Sequence, residues 1–302
     1  MVSPQKRSDS NAGVARLRGY LAELPVLPTL VSKLVSLDMS SEAAYDEVVG
    51  IAEEDPTFAV RVLALANSAA FAPVQVIEDI PQAVARIGAW NLAEMVATMA
   101  VMDVFAPRDD SARSLWAHSV ETAIGARTFA SALPGVDKQA AYLLGLVHDL
   151  GRLVFLRAEA IEPDVFRGMS SEVLAQDQLS SSGSLVTTRE KVLLGFDHAD
   201  VGAQAAEVIG LTPNIVELIR HHHDELSADR DLLAVVQLAD AVSVHVSRGH
   251  VDLGAPDPAA LERCYPKSWV KAGVQPLELE RLAQLLPSIS SQSNTLLAGL
   301  AS

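Results

Sequence analysis

One run, Ala140 to Leu153 (AAYLLGLVHDLGRL), limits what this chain can fold into more than any other. It is apolar on nearly every side, as a helix enclosed by a core is, rather than apolar on one stripe as a surface helix is. Gly151 reads as its C-terminal stop. At its end stand His148 and Asp149. An imidazole and a carboxylate in apolar surroundings are costly to bury unless something pairs with them. Two partners answer that need: hydrogen bonds at a helix end, or a divalent cation that satisfies both groups. The rest of the chain must therefore wrap a thick helical core around this run and accommodate a polar site at its end.

The 302 residues are ample for such a core. Hydrophobic residues make up 49% of them and aromatics only 5%, with Ala, Leu and Val dominant, which suits close-packed helices. The longest apolar region, Leu92 to Ala106, is interrupted by Glu94, Thr98 and Asp103. It falls short of the roughly 18 apolar residues of a membrane span. Met1 to Ser10 is polar and has no signal-peptide pattern, so a cytoplasmic protein without membrane association is expected. Cys264 is the sole cysteine, which excludes an internal disulfide and a cysteine-based zinc site. A formal net charge of −15 speaks against nucleic-acid binding, which needs a concentrated positive face. Protein partners and small ligands remain as the candidates.

Along the chain, residues 1–11 read as a disordered tail. An N-terminal helical subdomain is expected over 12–108, a second helical subdomain over 109–250, and a helical extension over 251–302. In the first, Thr29 to Met39 has Leu30, Leu34 and Leu37 on one face, and Ser41 or its neighbour caps a helix running to Glu54. Asp55-Pro56 is a cap followed by proline at the first helical position, and Asn67 ends that helix. A short helix after Ile80-Pro81 stops at Gly88, and Ala89 to Phe105 is long and apolar. In the second, Ser111 to Leu133 carries His118, and Asp137 caps the helix that leads to His148-Asp149. Ser180 to Gly183 looks like a mobile loop. Asp197 caps a helix bearing His198 that ends at Gly210, Thr212-Pro213 opens a helix finishing in His221, His222 and His223, and Leu232 to Ser247 contains Asp240. No repeat and no strand pattern is present.

The order of chemistry-bearing residues is thus His118, then His148-Asp149, then His198 and the histidine triplet, then Asp240, all on helical segments. This order resembles the HD metal-dependent phosphohydrolase superfamily. A second resemblance lies upstream. LPTLVSKLVSL, EEDPTFAVRVLALANSAAF and DIPQAVARIGAWNLAEMV hold, in order, Leu24-Pro25, Leu27-Pro28, Asp55-Pro56, Asn67-Ser68 and Arg86-Ile87-Gly88. With the histidine pattern they resemble the HDOD family, a branch related to HD domains, over Leu24 to Ser247. The resemblance implies an all-α, multi-helix fold in which an N-terminal helical subdomain packs on an HD-like one. It implies a bacterial signal-transduction module with signalling protein partners, either a non-enzymatic or weakly active regulatory scaffold or a metal-dependent phosphohydrolase of a nucleotide or other phosphoester.

By the same resemblance the metal ligands are His118, His148, Asp149 and Asp240, with His198, His222 and His223 completing a second metal position or contacting phosphate. His148 and Asp149 would be the catalytic candidates. Mg, Mn or Fe would accept this mixture of imidazole and carboxylate. Successive helical residues point about 100 degrees apart, so the triplet cannot all face one site, and His221 falls outside it. Two departures weigh against cleavage of cyclic di-GMP. The superfamily's enzymes for that substrate carry Gly-Tyr-Pro soon after their paired histidines, where this chain reads DELSADRDL. They also place a glutamate about one turn before the first histidine, where this chain has Ser114. Arg61, Arg86 and Arg113 are expected to be solvated or paired rather than ligand-binding, and the Met95, Met99, Met102 stripe to be core.

Overall fold

A computed structural model describes residues 17, 19–27, 33, 34, 37, 41, 43–68, 71, 75–106, 109–161, 187, 188, 190–192, 195–224, 231–247 and 281–300. Among these every regular element is a helix, so the fold is all-α, and none is long and apolar enough to cross a membrane. The expected tail, the serine-rich loop, Cys264, most of Thr29 to Met39 and nearly all of the 251–285 region lie outside the described residues. The chain divides into two compact units, Leu27–Asp103 with Ser290–Ser302, and Met1–Val26 with Val104–Ile289.

The smaller unit contains α1 (Ala44–Glu54), α2 (Pro56–Ala66), α3 (Ile80–Ile87) and nearly all of α4 (Ala89–Val104). Its local signals have direct structural causes. Asp55 ends α1 in extended backbone, and its carboxylate accepts the amide of Phe58, which starts α2 with Pro56 at its first position. Asn67 ends α2 and ties down the loop beyond it. Its side-chain amide donates to the carbonyls of Leu63 and Ile77, and its oxygen accepts the Ile77 amide. Asp79 caps α3, and Gly88 ends it at a φ of +88°, the left-handed conformation that favours glycine. One cap differs from expectation: α1 starts after Ala43 with no side-chain cap, not after Ser41. Arg61 pairs with Asp103, and Arg86 donates to the Phe71 carbonyl.

The larger unit carries α5 (Asp110–Ala130), α6 (Lys138–Val147), α7 (Leu150–Ile161), α8 (His198–Val208), α9 (Pro213–Arg220) and α10 (Asp231–Ser247). The last helix, α11 (Leu286–Leu300), begins here. α5 lies along both α6 and α10, and α8 lies along both α7 and α9. Asp109, Asp137 and Asp197 cap α5, α6 and α8 with their carboxylates. Val120, Ala123, Leu144, Val147, Val154, Ala203, Ile219 and Val235 are fully enclosed between these helices.

Gly151 departs from its expected role. α6 stops at Val147, His148 and Asp149 form a turn, and Gly151 lies inside the first turn of α7. Its task is close approach: a Cβ built on it would sit 1.9 Å from the backbone oxygen of His198. On the facing helix a Cβ on Gly202 would come within 2.9 Å of the Gly151 nitrogen. Two further crossings are also close, though less so. A Cβ on Gly145 of α6 would meet the Ala123 Cα of α5 at 2.8 Å, and one on Gly125 would meet the Ala239 Cβ of α10 at 3.1 Å.

These contacts separate two kinds of glycine. Gly151→Ala is expected to cost about 3 kcal/mol or more, or to abolish soluble expression, because backbone rather than a flexible side chain blocks the added methyl. Gly50→Ala, in the middle of α1 where nothing lies within 4 Å, should be neutral or stabilise by up to about 1 kcal/mol. Chemical denaturation of both variants checks the pair. Asn67→Ala should cost about 2–3 kcal/mol in the same assay, since it strands buried backbone groups.

Candidate metal centre

The close crossings draw together five stretches of the chain. His118 sits midway along α5, His148 and Asp149 form the turn between α6 and α7, His198 opens α8, His222 and His223 follow the end of α9, and Asp240 lies within α10. All seven residues expected as ligands therefore meet in the larger unit. They form two groups: Asp149, His198, His222 and His223, and His118, His148 and Asp240. Within each, one ligand atom per residue lies within 4.8 Å of the others. His221 turns away and pairs with Glu217 and Asp224.

Asp149 stands between the groups. Its Oδ2 faces His118 Nε2 at 3.7 Å and His148 Nε2 at 3.5 Å. Its Oδ1 faces His198 Nε2 at 3.4 Å and His222 Nε2 at 3.5 Å. Asp240 Oδ1 lies 3.3 Å from His118 Nε2 and 3.8 Å from His148 Nε2. Each group thus has imidazole nitrogens and at least one carboxylate oxygen directed at a common point.

The hydrogen bonds behind the rings determine which nitrogen carries the proton. His148 Nδ1 lies 2.8 Å from the Gly145 carbonyl and His222 Nδ1 lies 2.6 Å from the Ile219 carbonyl. A carbonyl only accepts, so both rings donate through Nδ1. Glu190 Oε2 takes the Nδ1 proton of His198 at 2.7 Å and also accepts that residue's backbone amide at 2.8 Å. Ser243 donates its hydroxyl proton to Glu121 at 2.5 Å, so its oxygen accepts from His118 Nδ1 at 3.0 Å. While neutral, each of these four rings then turns its Nε2 lone pair inward. His223 Nε2 lies 2.8 Å from His198 Nε2.

This arrangement is unfavourable without a cation. His148 Nε2 and His222 Nε2 are buried and have no hydrogen-bond partner, although both face Asp149. Lone pairs aimed at a carboxylate repel, and each unsatisfied buried group costs about 1–3 kcal/mol. Two donors sharing one ion at about 2.0–2.2 Å sit roughly 3–4 Å apart, the spacing seen between Asp149 or Asp240 and the rings. Imidazole with carboxylate is the donor set of Mg, Mn and Fe rather than of a closed thiolate zinc site.

Electrostatics agree with that fit at His148 and His223. Burial holds His148 neutral, lowering its pKa to about 4 against the pull of Asp149 and Asp240. Burial also lowers His223 far below its ordinary value, reinforced by His222 and His198. At His118 and His198 burial acts the same way, but Asp240 at one and Glu190 at the other outweigh it and raise both. Burial would raise Asp149, yet Arg152, whose Nε lies 3.2 Å from Oδ1, and the surrounding histidines hold it well below the usual carboxylate range. Exposure among the donors differs. The side chains of His118 and Asp240 are 18% and 27% exposed, while those of His148, Asp149, His198 and His222 are nearly fully covered.

Four residues of the site were not among the sequence candidates: Glu121, Ser243, Arg152 and Glu190. Three carry a local signal, because Glu121 follows His118, Arg152 follows Asp149 and Ser243 follows Asp240 by three positions, the spacing that puts side chains on one helical face. Glu190 carries none. Arg113 pairs with Asp110, as expected of a surface arginine.

Residues 24–225 match the family model described as the HDOD domain. An uncharacterized protein of Treponema pallidum (strain Nichols) is 26% identical over 211 residues, 70% of this chain but 39% of that protein, so the chain spans well under half of this relative's length. Two solved structures align over nearly the whole chain. A candidate phosphohydrolase from Shewanella amazonensis SB2B has 26% identity and a TM-score of 0.65 over 94% of this chain and 97% of its own. An HDOD domain protein of unknown function from Geobacter sulfurreducens has 25% identity and a TM-score of 0.65 over 95% and 97%.

The proton assignment is open to direct observation. Long-range nitrogen–proton NMR spectra of metal-free protein near pH 7 should show His148 and His222 protonated on Nδ1. Nε2–H tautomers for either ring would mean that the inward lone pairs, and with them the fit to a cation, are absent.

Proposed function

Because this chain belongs to the HDOD domain family, we propose that it is a signal-transduction module built around a two-position divalent metal centre, with His118, His148 and Asp240 at one position, His198, His222 and His223 at the other, and Asp149 shared between them. The observation that carries this reading is the convergence of two buried, unpartnered ring nitrogens, His148 Nε2 and His222 Nε2, with the ligand atoms of Asp149, His118, His198, His223 and Asp240, in two groups each within 4.8 Å. A scaffold that used these groups only as helix ends would have no reason to turn the lone pairs inward.

A second reading, phosphoester hydrolysis at the same centre, is favoured by the position of Asp149 between the groups and by the exposed edge at His118 and Asp240. Bound metal supplies Lewis acidity toward a phosphoryl oxygen and makes water a stronger nucleophile. The chain's own residues would do the rest. Asp149 and Asp240 keep the donor groups in register, Arg152 balances the charge on Asp149, and the partly exposed His118 and Asp240 give a side for approach. A nucleotide or another phosphoester is the substrate class. The absence of Gly-Tyr-Pro after His223, and Ser114 where cyclic di-GMP phosphodiesterases have glutamate, weigh against that dinucleotide. As a regulatory module the chain would act on signalling protein partners, in keeping with its acidic surface.

Plasma mass spectrometry on protein purified without a histidine tag tests the first reading. Near-stoichiometric Mn, Fe or Mg is expected, and its loss in the His148→Ala/Asp149→Ala double variant. Metal-free protein even after incubation with Mn or Fe would sink it. The second reading is tested with a panel of phosphoesters: any turnover should fall roughly 100-fold or more in Asp149→Asn, since several kcal/mol of charge stabilisation leave with the metal. Loaded protein that hydrolyses none of the panel would leave the regulatory role alone.

A further inference from the structure

The two ligand groups are backed in the same pattern but with unequal strength. Each contains one ring held from behind by a neutral backbone carbonyl: His148 by Gly145 and His222 by Ile219. Each also contains one ring held by a glutamate. For His198 the bond is direct, 2.7 Å to Glu190, a residue with no exposed surface. For His118 it passes through a hydroxyl, 3.0 Å to Ser243 and then 2.5 Å to Glu121, which is half-buried on α5.

A carboxylate on the far nitrogen fixes the tautomer and the ring orientation and makes the inward lone pair more basic, so it strengthens whatever bond that lone pair forms. Strength should decrease when a neutral hydroxyl intervenes and when water screens the charge. Building on the two-position metal reading, we propose that Glu190 and Glu121 are positioning residues that rank the two metal positions. The position of His198, His222 and His223 fills first because Glu190 backs it directly, and the position of His118, His148 and Asp240 fills second because Ser243 relays Glu121 to it. The carboxylates touch neither metal nor substrate and act through the rings they hold.

Glutamine suits the test, since its side-chain oxygen still accepts the Nδ1 proton while the charge is gone. Calorimetric titration of Mn into the full-length, chelator-stripped chain should show two events of different affinity. Glu190→Gln should weaken the tighter event by about 10–100-fold and leave the weaker one alone. Glu121→Gln should do the reverse, with a smaller factor. Both metal-free variants should melt within a few degrees of the metal-free wild type, the result a merely structural role would not give. If Glu190→Gln does not fold, Ser243→Ala, a small change at the relay, still has to weaken the second event selectively.

No Mn binding by the wild-type chain overturns the metal reading and this ranking together. A single event overturns the ranking while the metal reading stands. Two events that both weaken in either glutamine variant, or that neither variant moves, overturn the assignment of one glutamate to each position.

Discussion

The larger unit depends on the spending of four Nδ1 protons away from the centre. Each ring of His118, His148, His198 and His222 is anchored from behind, by a carbonyl, a hydroxyl or a carboxylate, and each while neutral thereby presents an unprotonated nitrogen to the interior. The anchoring is not free of cost. It leaves buried lone pairs of His148 and His222 facing Asp149, and a protein of marginal stability tolerates that only where something recovers it. Helix positions, capping and packing all serve to bring these ring ends to one place.

Close approach of backbones is what makes this geometry attainable. α7 meets α8 through Gly151 and Gly202, α6 meets α5 through Gly145, and α5 meets α10 through Gly125. With larger residues at those crossings the helices would stand further apart, and imidazoles on different helices would no longer lie within a few ångströms of a shared carboxylate. The glycines act as spacers for a site none of them touches.

Family membership and geometry speak to different questions. Membership in the HDOD family gives the helical fold and the signalling context, and the likeness to a candidate phosphohydrolase from Shewanella extends over nearly the whole chain. The donor set bears on chemistry. It forms two groups that could each hold a metal ion, while the features that accompany cyclic di-GMP cleavage are missing from the chain. Both groups meet at the turn of His148 and Asp149.

Much of this was legible in the residues alone. The apolar run before His148 required a buried helix, the Asp caps at 137 and 197 and the glycine stops at 88 and 210 marked element ends, and the order of histidines and aspartates marked the residues that the fold brings together. These signals are local, so the chain carries them wherever it folds. Gly151 was misread as a helix stop because a stop and a spacer share one residue type, and only the facing backbone of His198 distinguishes them. Glu121, Arg152 and Ser243 lay one turn from known candidates and could have been reached by helical spacing. Glu190 could not. Nothing in its neighbourhood marks it, and its part is settled by the turn of the chain that brings the His198 ring, eight residues on, against it. Local sequence determined which groups are present, whereas the tertiary fold decided which lone pairs face each other, because proton placement on a ring depends on the partner behind it.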